Sequence, residues 1–283
     1  MKKTGRRSRN IEDRRGSRRS ILAGGGGLGV LILALVVGLL GGDPSVVLDQ
    51  VAAPPSQFPT QQTQTSPAED QLAEFTSVVL ADTEDTWNKI FEEEIGQPYQ
   101  EPGLVLFSDS VQSACGTAQS AIGPFYCPAD QKVYIDLSFY DDLKRRHQAP
   151  GDFAQAYVVA HEVGHHVQNL LGISTQVRQL QSRASEVEAN QLSVRLELQA
   201  DCLAGIWANR ADRARDILER GDIEEALNAA SQIGDDRLQE QSRGFVVPES
   251  FTHGSSTQRV RWFRQGLQTG NLERCNTFAS NQI

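Results

Sequence analysis

Residues 152–172 read DFAQAYVVAHEVGHHVQNLLG, and the motif inside them, His161-Glu162-Val163-Gly164-His165, directs the reading of the whole chain. No proline interrupts the stretch, and its apolar residues suit a buried helix. Asp152 is expected as its N-cap and Gly172 as its stop after Leu171. At 3.6 residues per turn, His161 and His165 share one face about one turn apart. Two imidazoles so placed can reach one ion at roughly 2.0–2.1 Å, and Glu162 beside them can take a proton from a water on that ion. Two histidines and a glutamate in a buried helix are costly unless paired or ligated, so a metal is the expected occupant. His166 projects about 100° from His165 and is expected behind the ligands or at the surface.

A catalytic zinc site uses three protein ligands and keeps one position open. Downstream, Glu197-Leu198-Gln199-Ala200-Asp201 lies in a helical pattern over residues 185–209, with Leu192, Leu196, Leu203, Ile206 and Trp207 around it. Two carboxylates one turn apart repel, and a cation nearby removes that penalty. Glu197 is therefore expected as the third ligand, with Asp201 accepting the free N–H of a ligand histidine, His161 in particular. Glu186 and Glu188 are the alternative ligands, in a more polar stretch without an i+4 partner.

The segments His161-Glu162-Val163-Gly164-His165-His166-Val167-Gln168 and Glu197-Leu198-Gln199-Ala200-Asp201-Cys202 resemble the bacterial neutral zinc metallopeptidase family. The likeness extends to Arg7-Ser8-Arg9-Asn10-Ile11-Glu12-Asp13-Arg14-Arg15-Gly16, to Gly123-Pro124-Phe125-Tyr126-Cys127-Pro128-Ala129-Asp130 and to Phe251-Thr252-His253-Gly254-Ser255-Ser256. It thus covers nearly the whole chain apart from a linker. The resemblance implies a membrane-anchored zincin-like metallopeptidase domain holding one Zn2+ per chain on His161, His165 and Glu197, with Glu162 as general base.

Residues 1–19 carry nine Lys/Arg against Glu12 and Asp13, a local charge of +7, whereas the whole chain carries −9. The apolar, Gly-rich run over residues 21–40 is long enough to enter a membrane. By the positive-inside rule, residues 1–20 are expected as a cytoplasmic head, 21–42 as a single-pass signal anchor, and the acidic remainder outside the cytoplasm of a bacterial cell. Cleavage after the apolar run is the competing expectation. An acidic main domain argues against nucleic-acid binding. Residues 43–70, rich in Pro, Gln, Ser and Thr, read as a disordered tether, leaving 71–283 as one catalytic domain.

Cys115, Cys127, Cys202 and Cys275 all fall in that domain, an even count that suggests two disulfides with three possible connectivities. Cys115–Cys127 would close a short loop, and Cys202–Cys275 would tie the ligand-bearing helix to the C-terminus. Helices are expected over residues 71–94, 138–147 and 256–267. Leu104-Val105-Leu106-Phe107, Pro124-Phe125-Tyr126-Cys127 and Val133-Tyr134-Ile135-Asp136 suggest a small antiparallel sheet. The fold class is therefore α+β and mostly helical; the zincin resemblance implies an edge strand along the cleft that pairs with extended substrate, and Tyr134 to Asp136 is the candidate for it. His253 is the candidate for stabilising an oxyanion, its alternative role being to cap the helix that follows. Tyr157 is expected to pack and His147 to lie at the surface. The functions compatible with this pattern are a zinc endopeptidase acting on peptide or protein substrates, a zinc amidase acting on cell-wall cross-links, and a non-catalytic metal-dependent scaffold.

Overall fold

The computed structural model describes residues 1–2, 5–16 and 65–279. The expected membrane span over residues 21–42, and the tether up to residue 64, lie outside the described residues. Among the described residues, no helix is long and apolar enough to cross a membrane. One compact unit comprises Met1–Arg15 together with Ser66–Ile283.

The fold is α+β. Strands β1 (Ile11–Asp13), β2 (Gly103–Phe107), β5 (Phe125–Cys127) and β6 (Lys132–Asp136) form one sheet in the order β1-β2-β6-β5. The sheet is mixed, which corrects the antiparallel expectation. β1 and β2 pair in parallel, as do β2 and β6, and only β5 runs antiparallel to β6. The reason lies in burial. Leu104, Leu106, Val133 and Ile135 face the helical core, while Val105, Phe107 and Tyr134 pack on the other face against Val111 and Ala118. Those last two sit in a hairpin of β3 (Ser110–Ser113) and β4 (Gly116–Gln119). Strands covered on both faces read as continuous apolar runs, and such runs carry no information about direction.

Eight α-helices surround the sheet among the described residues. α1 spans Pro67–Ile90, capped by Ser66 and Glu69 in a reciprocal box, so residues 67–70 belong to the domain and not to the tether. α2 (Ser138–Arg145) leads to the motif helix α3 (Asp152–Leu170). Gly151, not Asp152, occupies the α3 N-cap position. Asp152 is the first helical residue and accepts from the amino group of Met1. α4 (Ile173–Gln181) precedes the long helix α5 (Glu186–Arg215), which is followed by α6 (Asp222–Gln232), α7 (Asp235–Arg243) and α8 (Ser256–Thr269).

Two glycines set the helix spacing that builds the site. A Cβ on Gly164 of α3 would lie 3.0 Å from the carbonyl oxygen of Ala200 on α5, and one on Gly266 of α8 would lie 1.9 Å from that of Cys202. α3 and α8 therefore both press onto the middle of α5, around Glu197 and Asp201. The Cys202–Cys275 disulfide fixes α5 to the C-terminal segment, and Cys115–Cys127 ties the β3–β4 turn to β5. Both pairings match the expected ones, and no free cysteine remains among the described residues.

The basic head differs most from expectation. Residues 1–15 do not stand apart from the domain. β1 extends its sheet, with Ile11 opposite Leu104 and Asp13 opposite Leu106, and Met1 is buried in the main core.

Candidate metal centre

α3 and α5 bring together the residues that the motif singled out. His161 Nε2 lies 3.1 Å from Glu197 Oε2, His165 Nε2 lies 3.3 Å from Glu197 Oε1, and the two Nε2 atoms are 3.2 Å apart. Ligands at tetrahedral corners around zinc at 2.0–2.1 Å are roughly 3.3 Å apart, so each imidazole nitrogen is near that spacing from the other nitrogen and from one oxygen of Glu197. Glu186 and Glu188 lie at the start of α5, where Glu188 completes the helix cap with Ser185.

The outer hydrogen bonds decide which way the nitrogens face. His161 Nδ1 is 2.9 Å from Asp201 Oδ1, so it carries the proton and donates. Gln168 donates its amide to the carbonyl of Leu196, which leaves Gln168 Oε1 to accept from His165 Nδ1 at 2.9 Å. Both Nε2 lone pairs therefore point toward Glu197 and toward each other. That arrangement is repulsive unless a cation lies between them, and the donor set of two imidazoles and one carboxylate fits zinc.

The local field agrees. Burial disfavours a charged His161, yet Asp201 and then Glu197 outweigh it and push the imidazole up to about 10. Burial raises Glu197 in turn, but His165 and His161 bring it well below the usual carboxylate range. Without an ion, the pocket draws positive charge as protons.

Asp201 is fully buried and makes more contacts than the sequence indicated. It accepts from His161, from the hydroxyl of Tyr157 at 2.5 Å, and from Arg259 through Nε at 2.9 Å and Nη2 at 3.0 Å. Burial would raise its carboxyl, but Arg259 and His161 hold it down at about 2. Tyr157 thus does more than pack. Arg259, on the first turns of α8, was missed altogether, since a lone arginine in an amphipathic helix gives no sequence signal.

Glu162 is buried, lines the cleft, and takes no hydrogen bond from any described residue. Burial raises its carboxyl above the ordinary value, opposed by His161 and His165. His253 also lines the cleft, with a side chain 52% exposed and Nδ1 3.4 Å from Asp235 Oδ1. It does not cap α8, because Ser255 and Gln258 do so. The ion pair with Asp235 raises its imidazole, against the opposing effect of burial.

His166 is fully buried rather than superficial. Its Nδ1 meets the Tyr126 hydroxyl at 2.9 Å and its Nε2 meets the Gln100 carbonyl at 2.6 Å, while burial lowers it to about 4. It is therefore neutral, donating through Nε2 and accepting from Tyr126, and it locks β5 to α3. The cleft, of about 630 Å³, runs past His161, His165 and Glu197 between β5, α2 and α4, with half-buried His147 on its wall. Phe125 and Tyr126 of β5 line it. β6 lies between β2 and β5, so the expectation that residues 134–136 border the cleft as a free edge fails, and β5 is the edge strand.

A family model described as "Putative neutral zinc metallopeptidase" matches residues 1–278. The chain belongs to this family. YpfJ, an uncharacterized protein of Escherichia coli K12, is 54% identical over 99% of this chain and all of its own length. Rv2575 of Mycobacterium tuberculosis and Mb2605 of Mycobacterium bovis, both uncharacterized, are each 44% identical over 65% of this chain and 65% of theirs. No solved structure matches the chain. Family membership implies zinc, and it fits the donor set that α3 and α5 assemble.

Proposed function

We propose that this chain is a zinc-dependent endopeptidase acting on peptide or protein substrates outside the cytoplasm. The observation that carries this reading is the pair of Nε2 lone pairs converging with Glu197 while Glu162 stands unpartnered beside them in an open cleft. A purely structural zinc would be closed by a fourth protein ligand and would have no use for that free carboxylate. Two disulfides with no free cysteine among the described residues support an oxidising compartment.

His161, His165 and Glu197 would hold one zinc per chain. When bound there, zinc supplies Lewis acidity, polarising a carbonyl and lowering the pKa of water to about 7. An extended substrate adds to the outer edge of β5, whose other side is already paired with β6. Glu162, kept poorly solvated by burial, takes the proton of the attacking water and passes it to the leaving amine. His253 donates to the developing oxyanion, with Asp235 holding its ring. Asp201, Tyr157 and Arg259 keep the His161 ring oriented.

The purified full chain, loaded with zinc, should digest casein and lose that activity on chelation. Glu197→Ala should weaken zinc binding on the order of 100-fold or more, exceeding the usual cost of an outer partner. Elemental analysis showing an unchanged 1:1 metal content in that variant would place the third ligand elsewhere. Digestion of peptidoglycan but not of casein would overturn the substrate class.

A pH profile tests His253. Its raised pKa means that the donating, protonated form is complete at low pH and is lost as pH rises through the folded value. The rate should therefore fall on the alkaline side. His253→Gln should lose about 10²–10³ in kcat and flatten that limb. An unchanged alkaline limb would remove His253 from the reaction.

A further inference from the structure

No described residue of the basic head lines the candidate site, yet the head is built into the domain that carries it. β1 pairs with β2 over Ile11, Glu12 and Asp13, and the pairing is extended at both ends. The Leu104 amide donates to the Asn10 carbonyl at 2.8 Å, and the Arg14 amide to the Leu106 carbonyl at 2.8 Å. Glu84 of α1 is 0% exposed, and its hydrogen-bond and ion-pair partners among the described residues are Arg6, Ser8 and Asn10, all from the head. The chain leaves the head where it later returns, for Arg15 Nη2 lies 3.2 Å from Asp70 in the first turn of α1.

We propose that residues 1–15 are a permanent strand and clasp of the catalytic domain and lie on the same side of the membrane as the active site. The apolar run over residues 21–40 then cannot separate the two by a single crossing.

The positive-inside reading took the head's arginines as free topology signals. In the fold, Arg6, Arg7, Arg14, Arg15 and Lys2 have carboxylate partners. Arg6 pairs with Glu84 and Asp85, Arg7 with Glu74, Arg14 with Glu12, Arg15 with Asp13 and Asp70, and Lys2 with Asp216.

The test uses the full chain in bacterial spheroplasts, with Arg9→Cys in the head and Arg243→Cys on α7, both at exposed positions. A membrane-impermeant maleimide is added before and after permeabilisation. Both cysteines are expected to react to the same extent before permeabilisation. Protection of Arg9→Cys alone, with Arg243→Cys labelled, would overturn the proposal, as would the reverse. Protection of both until permeabilisation would support the shared side while overturning the location proposed for the enzyme. The double variant Lys2→Cys with Asp216→Cys gives an independent readout, because these side chains touch. A short bifunctional maleimide should link the two thiols within one chain, and two thiols that are only singly alkylated would show an undocked head.

Discussion

Glu162→Gln is expected to retain its full zinc content and to lose about 10³–10⁴ of kcat, the upper range of a general acid–base contribution. The two side chains have the same shape, so the helix, the neighbouring ligands and the cleft are unchanged. Only the capacity to accept a proton is removed. The apo variant should melt at the same temperature as the parent or slightly above it. Burial raises the Glu162 carboxyl, which means that the folded protein disfavours its charge, and a neutral amide relieves that cost. An inactive enzyme that binds metal and is no less stable is the signature of a residue kept for chemistry at the expense of stability. Substantial hydrolysis by the purified variant would move the base elsewhere. Loss of zinc would make Glu162 part of the metal site.

What the sequence disclosed follows from how each feature is encoded. The juxtaposition of His161 and His165 was legible because helical periodicity alone brings positions i and i+4 together. Glu197 and Asp201 were legible through the strain of two carboxylates on one helical face, which needs a nearby cation to resolve it. Arg259 left no such trace. It reaches Asp201 only because Gly266 lets α8 lie against α5, a tertiary fact with no local pattern. Strand direction was illegible for a related reason, since LVLF and VYID state burial on both faces but not which neighbour runs which way. The docking of the head was illegible because net charge and hydropathy do not name partners. Nothing in the composition of the head pairs Arg6 with Glu84, Arg7 with Glu74, Arg15 with Asp70 or Lys2 with Asp216.

Arg259→Met should have the largest effect on stability. Asp201 is 0% exposed and receives two of its four hydrogen bonds from the guanidinium. Methionine keeps the apolar stem, so the volume lost in the core is small and the change isolates the charge. Removing one partner of a buried pair costs about 3–5 kcal/mol, because the remaining carboxylate stays out of water without compensation. For a domain of this size that corresponds to a fall in Tm of roughly 10 °C. Arg259→Lys should recover only part of this, since a compact ammonium cannot span both carboxylate oxygens as the planar fork does. Replacing the carboxylate as well removes the orphan charge, so the double variant Asp201→Asn with Arg259→Met should lose much less than the two single changes together. Acid provides a second check on the same carboxylate. Asp201 is depressed to about 2, so the stability it contributes is complete above its unfolded value and disappears as pH falls toward that number. In Arg259→Met this acid-linked loss should begin at a higher pH, because the largest influence lowering the Asp201 carboxyl is gone. A Tm within about 2 °C of the parent, together with additive effects in the double variant, would show that Asp201 is satisfied by His161 and Tyr157 alone. The buried arginine would then have no part in holding the metal helix.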